Sequence, residues 1–168
     1  SNLFDMICVS SDSNEILEVG SSYGVDLCIK RPLELANDYI SKLPAIRHAV
    51  EESELRFGRK FDIVVDMDVT SPLRNINDIK NAIKLLEDNN ISNVITGSPA
   101  RRSPYFNLVE LNKNDVAELS KKPINPVTRR QDSPKCFDMN ASIYVWNRSS
   151  LFENPTVFNE DTKIYVMP

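Results

Sequence analysis

Two carboxylates at the end of an apolar run are the sharpest chemical feature of this sequence. Asp66 and Asp68 close the stretch Phe61 to Val65 and are followed at once by Thr70-Ser71-Pro72. Side chains alternate across a strand, so residues two apart project to one face. Paired carboxylates repel unless positive charge lies between them, and a hard cation such as Mg²⁺ takes oxygen ligands of this kind. The alternative is that both aspartates simply end the strand in solvent. Arg31, just before Pro32 and three residues from Glu34, reads either as a surface ion pair or as a fork onto carbonyl or phosphate oxygens. Arg101-Arg102, Lys121-Lys122 and Arg129-Arg130 concentrate further positive charge. They read as a solvated face or as receivers of a carboxylate or phosphate. His48, the only histidine, has no partner in the sequence and reads as structural. No serine or cysteine sits in a nucleophile motif, and there is no glycine-rich phosphate loop. Tyr144, Trp146 and Phe137 read as core.

The elements that must position these groups follow a regular tempo. Met6 to Val9 is a strand, Ser10 to Ser13 a cap, and Ile16, Leu17 and Val19 the apolar side of a short helix ending near Gly24. Val25 to Ile29 is a second strand. Ile46, Ala49, Val50 and Leu55 predict a helix to about Arg56. Asn77 or Asp78 is expected to cap a third helix with Ile79, Ile83, Leu85 and Leu86 inside, and a strand follows from Val94. This alternation predicts an α/β fold: a Rossmann-like, open, mostly parallel sheet with helices on both faces. Ligands bind such sheets at the carboxyl ends of the strands. The polar loops Ser10–Ser13, Arg31–Ser41 and Asp66–Arg74 should therefore share one edge.

Residues 99–139 break the tempo. They hold five prolines, and only a short strand from Phe106 to Leu111 can be placed. A long irregular excursion of this kind is usually functional. Strands from Ser142 to Trp146 and Ile164 to Met167 complete the chain.

Composition narrows the function classes. The 168 residues suit a single domain, here spanning 1–168. Twenty basic against 24 acidic residues give a net charge of −4, which is no polycation for nucleic acid. No apolar stretch approaches the ~18 residues of a membrane helix. Cys8, Cys28 and Cys136, odd in number and far apart, read as free thiols. With no secretory signal ahead of the first strand, the expected location is the cytoplasm.

Five blocks, in order, carry a resemblance: Val-Ser-Ser-Asp-Ser (9–13), Arg-Pro-Leu-Glu-Leu-Ala-Asn-Asp (31–38), Thr-Ser-Pro-Leu-Arg (70–74), Ser-Pro-Tyr-Phe-Asn-Leu-Val (103–109) and Asn-Ala-Ser-Ile-Tyr (140–144). Together they resemble the acylneuraminate cytidylyltransferases, or CMP-sialic acid synthetases, across nearly the whole chain. The resemblance implies a nucleotide-diphospho-sugar transferase type of fold. It also implies a dimer, and transfer of CMP from CTP, with Mg²⁺, to a nine-carbon 2-keto acid sugar with release of pyrophosphate. It places Ser10, Arg31, Asp38, Ser41 and Ser71 on the nucleotide, with Arg31 near the cytosine. Asp68 and Arg74 are the candidate catalytic residues; Asp66 and Asp68 stand as candidate metal ligands on the paired-carboxylate argument alone, since the family often has glutamine in place of Asp68 and an apolar residue in place of Asp66. Arg130, Gln131, Asn140, Tyr144 and Phe158 fall in its acid-sugar pocket. Residues 101–139 correspond to its dimerisation arm. The family's basic, Gly-rich triphosphate loop and its later Asp-x-Asp do not occur in these 168 residues, so the chain by itself is expected to be inactive. The competing readings are a metal-dependent glycosyltransferase using Asp-x-Asp and a non-catalytic paralogue that binds a partner through the arm.

Overall fold

The computed structural model describes residues 3–37, 39–125 and 127–167. The chain opens with β1 (Cys8–Ser11), α1 (Asn14–Ser22) and β2 (Leu27–Lys30), a βαβ unit whose two strands pair in parallel. Ser13 caps α1 by accepting a hydrogen bond from the Ile16 N–H, as its place before the apolar stripe predicts. Next come α2 (Lys42–Phe57), β3 (Ile63–Met67), α3 (Ile76–Asn89) and β4 (Asn93–Pro99). The Pro-rich excursion holds only a short antiparallel pair, β5 (Val109–Leu111) and β6 (Ala117–Leu119). Residues 103–107 form a turn rather than the start of the expected strand, because the Ser103 carbonyl accepts the N–H groups of Phe106, Asn107 and Leu108. The chain closes with β7 (Phe137–Asn147), α4 (Arg148–Glu153) and β8 (Lys163–Val166).

The main sheet runs β3-β7-β4-β8, with β7 antiparallel to both of its neighbours. β3, β4 and β8 point the same way, so the α/β class holds. The reversed strand between them is what element tempo does not reveal. Helices cover both faces. On one, Ala82 and Leu86 of α3 pack with Val94, Ile143, Val145 and Met167. On the other, Leu43 and Val50 of α2 and Leu151 of α4 pack with Ile95, Tyr144 and Trp146. Tyr144 and Trp146 are core as expected and stack with centroids 5.4 Å apart. Phe137 is not core: it is 38% exposed, pairing with Pro99 at an end of the sheet that the registers of β3 and β8 do not reach.

The cap of α3 lies earlier than expected. Asn75 is the N-cap, and Asp78 is the third helical residue, whose carboxylate accepts the Asn75 N–H. Asn-x-x-Asp is a capping box, so the acidic residue belongs inside the helix rather than before it. Gly97 marks a close approach of strands. A Cβ there would lie 2.7 Å from the Asp138 carbonyl and 2.8 Å from Ile164 Cδ1. No helix among the described residues is long and apolar enough to cross a membrane.

One ion pair joins the far ends of these elements. Glu54 near the end of α2 receives Arg148 Nε at 2.5 Å and Nη2 at 2.8 Å, and also the Phe61 N–H at 3.2 Å. Both side chains are largely buried. The Arg148 bond, with help from the Phe61 N–H, holds the Glu54 carboxyl below its usual range against the opposing effect of burial. A lowered folded pKa means stabilisation that is present above the unfolded value, near 4.3, and lost as pH falls through the folded one. Glu54→Gln should therefore cost about 1–3 kcal/mol at pH 7. In urea unfolding, the deficit relative to wild type should shrink on acidification below about pH 4.

Candidate functional site

The site forms where β7 leaves regular pairing. Between Ile95↔Tyr144 and Gly97↔Met139, β4 advances two residues and β7 five, so Asn140 to Ile143 bulge out. Ala141 takes a left-handed φ of 53°, a backbone cost that marks functional segments more often than ordinary strands. The buried Thr96 hydroxyl fills the gap. It lies 2.7 Å from Asn140 Oδ1 and accepts the Ile143 N–H at 3.0 Å. Asn140 Oδ1 also accepts the Ser142 N–H, and its amide faces Met167 Sδ. Asn140, expected on the sugar, thus uses its side chain to hold the bulge.

The bulge in turn anchors the 68–74 loop. The Asp68 N–H donates to the Ser142 carbonyl, and the Ser71 hydroxyl to the Asn140 carbonyl at 3.2 Å. Arg74 Nη1 is shared among the carbonyls of Asp68 (2.6 Å), Ser71 (2.7 Å) and Ser142 (3.2 Å). Arg74 is therefore a positioning residue that fastens the loop to β7.

At the mouth of this loop stand the two carboxylates. Asp68 Oδ1 accepts the Thr70 hydroxyl (2.7 Å) and the Thr70 N–H (2.9 Å). These bonds, with smaller help from Lys42 and Arg74, hold its carboxyl below the usual range. Asp66 Oδ2 lies 2.6 Å from the Lys42 ammonium, which also sits 4.0 Å from the centroid of the Tyr144 ring. Burial raises the Tyr144 phenol's pKa; Lys42 opposes this and the two aspartates add to it. Sequence reasoning reached Ser41 but passed over Lys42. The available signal was a cation at the first position of a helix, where the positive end of the dipole disfavours it.

This arrangement does not suit a divalent ion. Asp66 is already paired with an ammonium, and one oxygen of Asp68 is committed to Thr70. No group of three or more His, Cys, Asp or Glu side chains among the described residues is placed to hold a metal.

The remaining candidates are spread along the edge and beyond it. Arg31 is pinned to the end of β1, donating from Nη2 to the Ser10 carbonyl (2.6 Å) and from Nε to the Ser10 hydroxyl (3.2 Å). Ser41 is the N-cap of α2, but its side chain makes no capping bond. The Arg31–Ser10 contact joins the first two polar loops, and Lys42 brings the residue after Ser41 to Asp66, but β1 and β2 form a two-stranded sheet of their own, so the three loops do not share the edge of one sheet as expected. Asp38 lies outside the described residues. Arg130 and Gln131 are exposed on the arm, where Arg130 Nη2 donates to the Arg101 carbonyl. Phe158 is 67% exposed and adjoins Asn159, whose amide bonds Asn93 at the first residue of β4. That is the end of β4 opposite Pro99, and no contact among the described residues joins Phe158 to the carboxylate cluster.

No protein-family model matches the chain. Among curated proteins, it is 46% identical over 167 residues to a CMP-N,N'-diacetyllegionaminic acid synthase of Campylobacter jejuni, covering 99% of this chain and 70% of that protein. The chain belongs to the acylneuraminate cytidylyltransferase family. The post-translational flagellin modification protein B of Campylobacter coli is 41% identical, with the same coverage. A solved CMP:2-keto-3-deoxy-manno-octonic acid synthetase, complexed with CTP, shares the fold at a TM-score of 0.56 and 16% identity. It matches 92% of this chain, which spans 61% of that structure.

Arg74→Met should leave the carbonyls of Asp68, Ser71 and Ser142 without their shared donor. We expect a loss of about 1–3 kcal/mol in denaturant unfolding.

Proposed function

We propose that the full-length protein transfers CMP from CTP to the anomeric hydroxyl of a nine-carbon 2-keto acid sugar, releasing pyrophosphate. The observation that supports this best is the Lys42–Asp66 contact, which brings the end of the Arg31–Ser41 segment to the Asp66–Arg74 segment, with Arg31 held to Ser10, in a chain of this family. In the reaction the sugar oxygen bonds to the α-phosphorus, the bond to the bridging oxygen of the β-phosphate breaks, and the hydroxyl proton is released. Catalysis of phosphoryl transfer is mainly positioning and charge stabilisation. On this reading Arg31, held by Ser10, orients the cytidine end, and Ser41 and Ser71 also serve the nucleotide. Asp68 faces the acceptor sugar, and Tyr144 lines its floor. Arg130 and Gln131 close the acid-sugar pocket from the arm, Arg130 pairing with the sugar carboxylate. Mg²⁺ accompanies the triphosphate, with ligands other than the Asp66–Asp68 pair. A legionaminic-type acceptor stands first, ahead of pseudaminic and N-acetylneuraminic acids, because of the 46% relative.

The reading includes a homodimer formed through 101–139. The arm exposes Val109 and Leu111 on β5, Val116 just before β6, and Ile124 beyond the pair. Apolar side chains grouped in this way suit a protein interface. Replacing Val109 and Leu111 by aspartate should turn a sedimenting dimer into a monomer; an unchanged dimer would place the interface elsewhere.

The reaction is tested with the full-length protein, CTP, Mg²⁺ and a panel of nine-carbon acid sugars. Pyrophosphate release should require both CTP and one of those sugars. Its absence with every sugar would overturn the reading.

A further inference from the structure

Lys42 stands against the electrostatics of its own helix. It is the first residue of α2, where the dipole disfavours a cation by about 0.3–1 kcal/mol. Two features hold it there: Asp66 Oδ2 at 2.6 Å and the face of the Tyr144 ring at 4.0 Å. The ammonium remains accessible, its side chain being 37% exposed.

The pairing is close but leaves Asp66 under-used. Oδ2 is sealed from solvent and receives no aligned hydrogen bond from the described residues. The Asp66 side chain is still 23% exposed, which leaves Oδ1 as the oxygen open to a ligand. Side by side, therefore, the end of β3 and the start of α2 present an acceptor, Asp66 Oδ1, and a donor, the Lys42 N–H groups that have no partner among the described residues.

Charge decides what such a pair can recognise. Asp66 and Asp68 are balanced by Lys42 and Arg74, and Arg74 Nη1 is spent on loop carbonyls. A corner with no net charge and two carboxylates has no attraction for a phosphate or a sugar carboxylate. A neutral group offering both an N–H and a C=O meets it on equal terms.

We propose that Lys42 and Asp66 together form the acceptor subsite for an N-acyl amide of the sugar. Lys42 donates to the acyl carbonyl, and Asp66 accepts the amide N–H. This inference rests on the cytidylyl-transfer reading above and adds to it which part of the acceptor this corner reads. Lys42 is then a specificity-determining residue, and Asp66 both holds it and reads the other half of the same group.

The test uses the full-length protein in the pyrophosphate assay. Each acetamido-bearing acid sugar that proves active is compared with counterparts in which one acetamido group is replaced by hydroxyl. Wild type should prefer the acylated sugar. Lys42→Met should raise KM for it by roughly ten- to a hundredfold, the loss of a hydrogen bond to a charged group. KM for CTP should stay unchanged, and the preference for the acylated sugar should largely vanish. Lys42→Arg should restore part of that preference, and Asp66→Asn should reduce it without touching KM for CTP. Equal losses by Lys42→Met on acylated and hydroxyl-bearing sugars, or a rise in KM for CTP alone, would overturn the subsite while leaving the reaction in place. No release by wild type from any sugar would overturn the reaction, and the subsite with it.

Discussion

The site depends on β7 lying antiparallel between β3 and β4. Ile143 and Val145 face one core while Tyr144 and Trp146 face the other, so both hydrophobic layers close on the same four residues. A strand buried on both faces has little freedom to slip, since a shift of one residue would exchange its two sets of side chains. That fixed register is what allows the irregular stretch before it. Five residues of β7 span the distance covered by two of β4, and the excess is taken up at Ala141 and Thr96. The rigid half of the strand offsets the cost of the strained half, as expected where backbone strain persists.

From the bulge, order passes outward by hydrogen bonds rather than by packing. Its carbonyls receive Asp68, Ser71 and Arg74, so the loop that ends β3 is fastened to β7 as well as by the bonds within it. Asp68 is thereby presented with one oxygen already satisfied and its carboxyl held ionised. Lys42 then arrives from a different element. Its contact with Asp66 ties the start of α2 to the end of β3, so the Arg31–Ser41 and Asp66–Arg74 loops meet there.

The two ends of α2 are tied by unlike means. At its start Lys42 and Asp66 remain partly exposed and chemically available. Toward its end Glu54 and Arg148 form a bidentate, largely buried pair with its hydrogen bonds filled. The first suits a site that must exchange partners. The second suits an anchor, because removing one partner would strand a buried charge.

Much of this was legible in the residues. Apolar runs alternating with helical stripes imply the α/β class, and the rule that ligands gather at strand ends puts the residues around Ser41 near Asp66, while the separate β1-β2 sheet that leads to Arg31 does not follow from it. The five ordered blocks point to the family that the 46% identical relative shows. These features depend on local pattern, which sequence records directly. The reversed direction of β7, the three carbonyls on Arg74 and the inward turn of the Asn140 side chain depend on residues tens of positions apart, and no local pattern encodes such pairings. Lys42 shows the boundary most clearly. Its unfavourable place at a helix start is visible in the sequence, but the identity of the charge that holds it there was decided only when β3 and α2 packed side by side.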